Sequence, residues 1–226
     1  MFFWDSTVIL LLPALILAIY AQYKVQSTFN KYSRVRSARG LTGADCAEII
    51  LRSNGLSRVT VVPTGGMLTD HYNPITKKLY LSEGVYNSDS VAALGVAAHE
   101  VGHALQDKFG YLPMKMRALV VPVAGLGSNL AIPLFIIGLI FSYPLLVNLG
   151  LLLFAGVVAF HIVTLPVEFN ASKRALDALS KEGVLAESEI YGAREVLNAA
   201  ALTYIAATAM AIIQLLRLLL IARRRD

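Results

Sequence analysis

The stretch His99-Glu100-Val101-Gly102-His103 decides how this sequence is interpreted. On a helix, two histidines four residues apart project from one face and can bind the same Zn²⁺, and the glutamate between them lies where it can take a proton from a water molecule. A catalytic zinc site needs three protein ligands and one open position. The pattern therefore predicts a hydrolase, with His99 and His103 as ligands and Glu100 as general base.

The surrounding residues predict a helix over 88–108 (SDSVAALGVAAHEVGHALQDK). Ser88 and Asp89 are typical helix-capping residues, and strong helix formers follow them. Small residues surround the histidines, and we expect them to leave room for a metal ion: Ala97, Ala98 and Gly102. The alternative is a core helix whose two histidines are satisfied by hydrogen bonds.

The composition is typical of a membrane protein. Of the 226 residues, 56% are hydrophobic and only 15% are charged, whereas a soluble domain is about half apolar and about a quarter charged. The net charge is +5, but the basic residues are not spread like a nucleic-acid footprint, so we expect no nucleic-acid partner. The single cysteine, Cys46, excludes an intramolecular disulfide and fits a reducing compartment.

Four apolar segments predict membrane spans at about 6–23, 118–141, 145–164 and 199–222. The aromatic residues Phe2-Phe3-Trp4 extend the first span at the interface, and we expect this span to be an uncleaved anchor. Ser142-Tyr143-Pro144 divides the next apolar stretch into a helical hairpin. The last segment carries Gln214 and Arg217, which could instead pack on the protein or reach toward the membrane surface.

The distribution of basic residues predicts the orientation. A cluster follows the first span and indicates the cytoplasmic side: Lys24, Lys31, Arg34, Arg36 and Arg39. If all four segments cross, stretches 24–117 and 165–198 share that side and hold 16 of the 20 Lys and Arg. We therefore expect a bacterial cytoplasmic membrane protein whose site faces the cytoplasm. Arg223-Arg224-Arg225 would then face outward, and a last helix lying at the surface is the alternative.

The polar stretch after the first span predicts a small α+β unit. Residues 42–53 predict a helix capped by Thr42 with Asp45 at the capping-box position, and its apolar face is Cys46, Ile49 and Ile50. A strand at 58–63 and a hairpin of 67–72 with 78–82 follow. We predict a mainly α membrane protein, a multi-span helical bundle with a small zincin-like α+β catalytic unit. It forms a single membrane-embedded domain over 1–226, with about 24–117 and 165–198 facing water.

A third zinc ligand must come from elsewhere in the chain, and Glu168 is the best candidate. It lies after a proline where the second hairpin helix is expected to leave the bilayer, an unusual place for a carboxylate without a partner. The alternative is an interfacial carboxylate paired with Lys173 or Arg174. His161 would lie in the apolar span as a structural histidine, and His71 in the hairpin could line the cleft.

Three segments carry a resemblance that covers essentially the whole chain: HEVGHALQ, EFNAS after a membrane hairpin, and TDHYNP with LYLSEGVY. With them the chain resembles the YugP-like bacterial membrane zinc metallopeptidases, which are more distantly related to HtpX-like proteases and gluzincins. The resemblance implies that His99, His103 and Glu168 bind zinc and that Glu100 is the base. It also leads us to expect an aspartate at the position of Ser172 and an acidic residue at Asn170, where this chain departs from the pattern.

These observations predict a membrane-bound zinc metalloendopeptidase of the HExxH…E gluzincin type with one Zn²⁺ per chain. Its partners would be a protein or peptide substrate and the lipid bilayer, with room for a regulatory membrane partner or a homo-oligomer. The transition state needs a further hydrogen-bond donor, for which His71, Tyr72 and Arg174 are candidates.

Two other functions are compatible with a zinc site in a membrane protein. The departures at Ser172 and Asn170 favour a zinc-containing membrane scaffold or regulator of low activity, whereas an intact Glu100 argues against it. A site-2-type intramembrane protease would need the motif inside a span. The charged residues at both ends of the motif helix leave only about ten apolar residues between them, too few to cross a bilayer.

Overall fold

The computed structural model describes residues 6–223, so the predictions for Phe2-Phe3-Trp4 and for Arg224 and Arg225 lie outside the described residues. A 3-10 turn at Ser6–Leu11 leads into α1 (Leu12–Tyr32). The elements that follow are α2 (Gly43–Ser53), β1 (Thr60–Thr64), β2 (His71–Asn73), β3 (Lys78–Ser82), α3 (Glu83–Tyr86), α4 (Val91–Lys108), α5 (Leu112–Ile140), α6 (Pro144–Lys181) and α7 (Glu187–Arg223). The protein is mainly helical, as predicted.

Contacts between Cα atoms divide the chain into two compact units. The first comprises the chain up to Gln22, Leu112–Pro166 and the chain from Leu202 onward. The second comprises Tyr23–Tyr111 and Val167–Ala201.

Within residues 6–223, four helices are long and apolar enough to cross a membrane: Thr7–Tyr32, Leu112–Ile140, Pro144–Lys181 and Glu187–Arg223. The helices extend beyond the predicted spans, because an apolar count locates the part that prefers lipid, whereas a helix continues as long as its residues favour it. The largest difference is at α6, which runs through Pro166 to Lys181 without ending at 164.

Within the first unit, α5 and α6 pack closely through small residues. A Cβ on Gly127 would lie 2.5 Å from the Leu153 carbonyl oxygen, and one on Gly150 would lie 2.7 Å from that of Ala131. Close approach at small residues is how helices pack in lipid, where little hydrophobic force drives them together. The predicted break between these helices is confirmed, since Ser142 adopts a positive φ of 50°. Arg217 Nε donates to Thr7 Oγ1 at 3.3 Å, so Arg217 packs on the protein.

In the second unit, α2 is capped as predicted. Thr42 Oγ1 accepts from the Asp45 amide, and the Asp45 carboxylate accepts from the Thr42 amide. The apolar face differs slightly from the prediction, since Cys46 and Ile50 are buried but Ile49 is only half-buried.

The sheet has the order β1-β3-β2, with β1 parallel and β2 antiparallel to the central β3. The predicted hairpin is confirmed, but its first strand begins at His71 and not at Met67. The Asp70 carboxylate accepts from the backbone and side chain of Ser82, which fixes residues before β2 as a loop. Strand β1 begins two residues later and ends one residue later than the predicted 58–63.

Helix α4 begins two to three residues later than predicted. Its cap is Ser90, whose Oγ accepts from the Ala93 amide at 3.2 Å. Asp89 instead forms an ion pair with Arg36, and Ser88 donates to the Ser90 hydroxyl. A cap oxygen accepts from an amide in the first turn of the helix, and the Ser90 hydroxyl does so at Ala93.

Candidate metal centre

His99 and His103 lie one turn apart on α4, and their ring centroids are 4.8 Å apart. Both side chains are largely buried, with 14% and 12% of their surface exposed. The helix places them toward α6, whose residues from Val167 onward belong to the same unit. The predicted pair of adjacent imidazoles therefore exists in the folded chain.

Glu168 completes a cluster with the two histidines. Its Oε2 atom lies 3.2 Å from His99 Nε2 and 3.6 Å from His103 Nε2, and potential ligand atoms of the three residues all lie within 4.8 Å of one another. Two donors about 2.0–2.1 Å from a tetrahedral zinc ion are about 3.4 Å apart. The spacing and the N,N,O donor set therefore fit Zn²⁺, and the carboxylate faces the histidines.

Gly102 allows the two ligand-bearing helices to approach each other. A Cβ at this position would lie 2.4 Å from the Ala171 carbonyl oxygen on α6, a distance that side chains do not tolerate. We expected the small residues around the histidines to leave room for a metal ion. At Gly102 that interpretation is wrong, because the space is filled by the backbone of α6. The glycine brings Glu168 within reach of the histidines.

Ser172 contacts Nδ1 of His99, the ring nitrogen that does not face Glu168. Its Oγ lies 3.1 Å from His99 Nδ1, which leaves Nε2 directed toward Glu168. The resemblance led us to expect an aspartate at this position. The serine makes the same kind of contact without a charge, since a hydroxyl can accept a hydrogen bond from an imidazole N–H.

Gln106 contacts the outer nitrogen of the second histidine, with Oε1 3.0 Å from His103 Nδ1. Its Nε2 donates to the Val167 carbonyl at 2.7 Å and to Asn170 Oδ1 at 3.1 Å. Gln106 is fully buried. Sequence reasoning missed this residue, although a polar side chain three residues after His103 on a buried helix face was the available signal.

Arg174 lies at the outer end of this network. Its Nε donates to Asn170 Oδ1 at 2.8 Å, and its guanidinium carbon is 5.4 Å from the centroid of the Phe109 ring. Arg174 was considered as an ion-pair partner of Glu168, but this contact directs its Nε to Asn170. Asn170, where we expected an acidic residue, joins Arg174 to Gln106.

The electrostatics of the cluster favour positive charge. Burial lowers the pKa of His103, but the carboxylates of Glu168 and Glu100 outweigh this effect, and the net pKa is raised. Glu100 itself is only 8% exposed. A cation at this site would take the place of the imidazolium proton, since metal ligation requires the neutral ring.

The other two candidate donors, His71 and Tyr72, contact their own surroundings. His71 stacks on Tyr80 with ring centroids 4.6 Å apart, and its Nδ1 lies 2.7 Å from the Thr69 carbonyl oxygen. The Tyr72 hydroxyl donates to Asp107 Oδ2 at 2.8 Å. Their roles toward a substrate stay predictions. His161 belongs to the first unit, where its ring packs edge-on against Phe160.

Comparisons with known proteins identify a family whose description names zinc. Residues 7–223 match the model of a family described as "Putative neutral zinc metallopeptidase". The chain is also 45% identical over 214 residues to the "Putative membrane protease YugP" of Bacillus subtilis (strain 168), and the match covers 95% of each protein. No solved structure matches the chain. With a match along nearly its whole length and four membrane-capable helices within residues 6–223, the chain is a membrane protein that belongs to the family this model describes.

Proposed function

We propose that the protein is a membrane-bound zinc metalloendopeptidase of the HExxH…E type that hydrolyses peptide bonds at the membrane surface. The observation that carries this proposal is the convergence of His99 and His103 from α4 with Glu168 from α6, at spacings that fit one tetrahedral ion. Family membership supports both the metal and the reaction class.

In this proposal His99 Nε2, His103 Nε2 and one Glu168 oxygen hold a single zinc ion. When bound, zinc polarises the scissile carbonyl and lowers the pKa of a water molecule toward about 7. Ser172 and Gln106 keep the two imidazole rings oriented through their Nδ1 atoms. Partners of this kind typically change metal affinity or activity by about 10–100-fold.

Glu100 acts as the general base. It lies between the ligands on α4 and is almost fully buried, so little bulk water competes for its carboxylate. It takes the proton of the attacking water and delivers it to the leaving amine, a role typically worth about 10²–10⁴-fold in rate. His71, Tyr72 and Arg174 remain the candidate donors to the developing oxyanion.

The alternative of a low-activity zinc scaffold rested on Ser172 and Asn170. The contacts of Ser172 with His99 and of Asn170 with Gln106 weaken that reason, because neither residue leaves a histidine unsupported.

We also propose that the protein lies in the bacterial cytoplasmic membrane with its site facing the cytoplasm, from the charge bias of the sequence. Its substrates are then cytoplasmic or membrane-adjacent polypeptides.

The test is the variant Glu100→Gln in the full chain, purified in detergent. We expect it to retain zinc, measured by elemental analysis, and to lose hydrolysis of casein or a model peptide by at least about 100-fold. Glu48→Gln is the matched control, because Glu48 is exposed on α2 and pairs with Arg52. Hydrolysis by Glu100→Gln at the wild-type rate would refute the mechanism.

A further inference from the structure

The buried amide of Gln106 joins α4 to α6 and contacts a candidate zinc ligand, but it cannot touch the metal itself, because His103 Nδ1 lies between them. Its three hydrogen bonds use both ends of the amide, with Nε2 toward α6 and Oε1 toward His103. A fully buried amide with every partner assigned has little freedom to rotate.

The orientation of this amide is fixed by its partners on α6. The Val167 backbone carbonyl can only accept, so the Gln106 atom 2.7 Å away must be the NH₂ group. The other acceptor is also unambiguous, since Asn170 Oδ1 accepts from the Arg174 guanidinium, which can only donate. Both contacts on α6 therefore direct the carbonyl oxygen of Gln106 toward His103.

The orientation of the Gln106 oxygen determines which nitrogen of the His103 ring carries the hydrogen. An amide oxygen only accepts, so His103 Nδ1 must carry the hydrogen in this contact, and in a neutral ring the lone pair then lies on Nε2. Nε2 is the atom 3.6 Å from Glu168 Oε2. The Ser172 hydroxyl, by contrast, can donate to or accept from His99 Nδ1, so it permits either tautomer.

We propose that Gln106 is a positioning residue that presets His103 in the Nδ1–H tautomer, so that Nε2 is ready to bind zinc before the metal arrives. The Val167 carbonyl and the Asn170–Arg174 pair hold the amide in the orientation that this requires. The two histidines therefore differ. The Gln106 oxygen permits only the Nδ1–H tautomer of His103, whereas the Ser172 hydroxyl permits either tautomer of His99. This inference rests on the proposed function only in taking His103 as a ligand.

The direct test is nitrogen-15 NMR of histidine side chains in the metal-free full chain in detergent, at a pH raised until the nitrogen shifts of the rings show the neutral form. The chain has four histidines, and His103→Ala assigns the relevant signal. We expect neutral His103 to carry its hydrogen on Nδ1. A wild-type spectrum with the hydrogen on Nε2 would overturn the proposal, whatever the variants do.

Three variants separate positioning from simple packing. Gln106→Met removes the acceptor at similar volume, and we expect a mixture of tautomers and about 10–100-fold weaker zinc binding in a chelator competition. Gln106→Glu keeps an acceptor oxygen, and we expect it to retain the Nδ1–H tautomer although its bonds to α6 are lost. Asn170→Ala removes one interhelical bond but leaves the Val167 carbonyl, so the tautomer should not change.

An unchanged tautomer in Gln106→Met would overturn the proposal, as would loss of the tautomer in Gln106→Glu to the same extent as in Gln106→Met. Because the tautomer is measured without metal or substrate, the result does not depend on peptidase activity. Failure of the proposed function would appear separately, as retained hydrolysis in Glu100→Gln.

Discussion

The hydroxyl of Ser172 lies 3.1 Å from Nδ1 of His99, and Ser172 follows Glu168 by four residues on α6. One face of one helix therefore supplies both the candidate carboxylate ligand and the group that holds the first histidine. A serine there supplies a hydrogen-bond partner without adding negative charge to a buried cluster that already contains Glu168 and Glu100.

Removal of this hydroxyl should weaken metal binding. We expect Ser172→Ala to bind zinc about 10–100-fold more weakly in a chelator competition, because the His99 ring loses its outer partner. Ser180→Ala, at an exposed position of the same helix, is the control and should bind zinc normally. An unchanged affinity in Ser172→Ala would show that the contact does not orient His99.

The ligand set can be tested by zinc content. We expect His99→Ala, His103→Ala and Glu168→Gln each to bind well below one zinc per chain, since a catalytic site needs three protein donors. His71→Ala should keep its zinc, because the His71 ring stacks on Tyr80 in the sheet. Full zinc content in Glu168→Gln would place the third ligand elsewhere.

Two glycines of α4 offer a matched pair. In Gly102→Ala the new methyl group would lie 2.4 Å from the Ala171 carbonyl oxygen, so α6 must shift, and we expect about 1–3 kcal/mol of destabilisation together with weaker zinc binding. In Gly95→Ala the nearest atom is 3.5 Å away, in ordinary contact with Ala193.

We expect Gly95→Ala to be neutral or to stabilise the protein by up to about 1 kcal/mol, because alanine favours the helix. Thermal unfolding measures the stability of the two variants, and zinc titration measures their affinity for the metal. Equal behaviour of the two would mean that the approach of α6 to α4 does not depend on Gly102.

A structural role of Tyr72, through its hydrogen bond to Asp107, can be distinguished experimentally from a role as hydrogen-bond donor to the transition state. Burial and the nearby Asp107 raise the pKa of Tyr72, so its hydroxyl remains a hydrogen-bond donor. We expect Tyr72→Phe and Asp107→Asn to lower the free energy of unfolding and to show a coupling energy of about 0.5–3 kcal/mol in a double-mutant cycle. A loss of kcat by about 10²–10³ in Tyr72→Phe alone would instead indicate an oxyanion donor.

The orientation can be tested by labelling a cysteine introduced at the exposed position Ser57. We expect Ser57→Cys to resist a membrane-impermeant thiol reagent in intact cells and to react after lysis, because the charge bias of the sequence predicts that residues 24–117 lie in the cytoplasm. The wild-type chain is the control, since Cys46 is fully buried and burial raises the pKa of its thiol. Labelling in intact cells would reverse the orientation.

The sequence by itself determined the local features of this protein. The capping box of α2 depends on residues three apart, the hairpin turn on Asn73 and its neighbours, and the histidine pair on a four-residue spacing. The long apolar runs likewise marked the membrane-capable helices. Each of these features follows from interactions within a few residues, which a pattern can represent.

Only the tertiary structure decided what α4 and α6 do together. Glu168 is 69 residues from His99, and its approach depends on the missing Cβ of Gly102 beside the Ala171 carbonyl. Gln106, the partner of His103, was not identified in advance, and the resemblance singled out position 172 only as a place where an aspartate was expected. A hydrogen bond to a distant residue leaves no periodic signal, because it is set by how two helices cross and not by the spacing along either one.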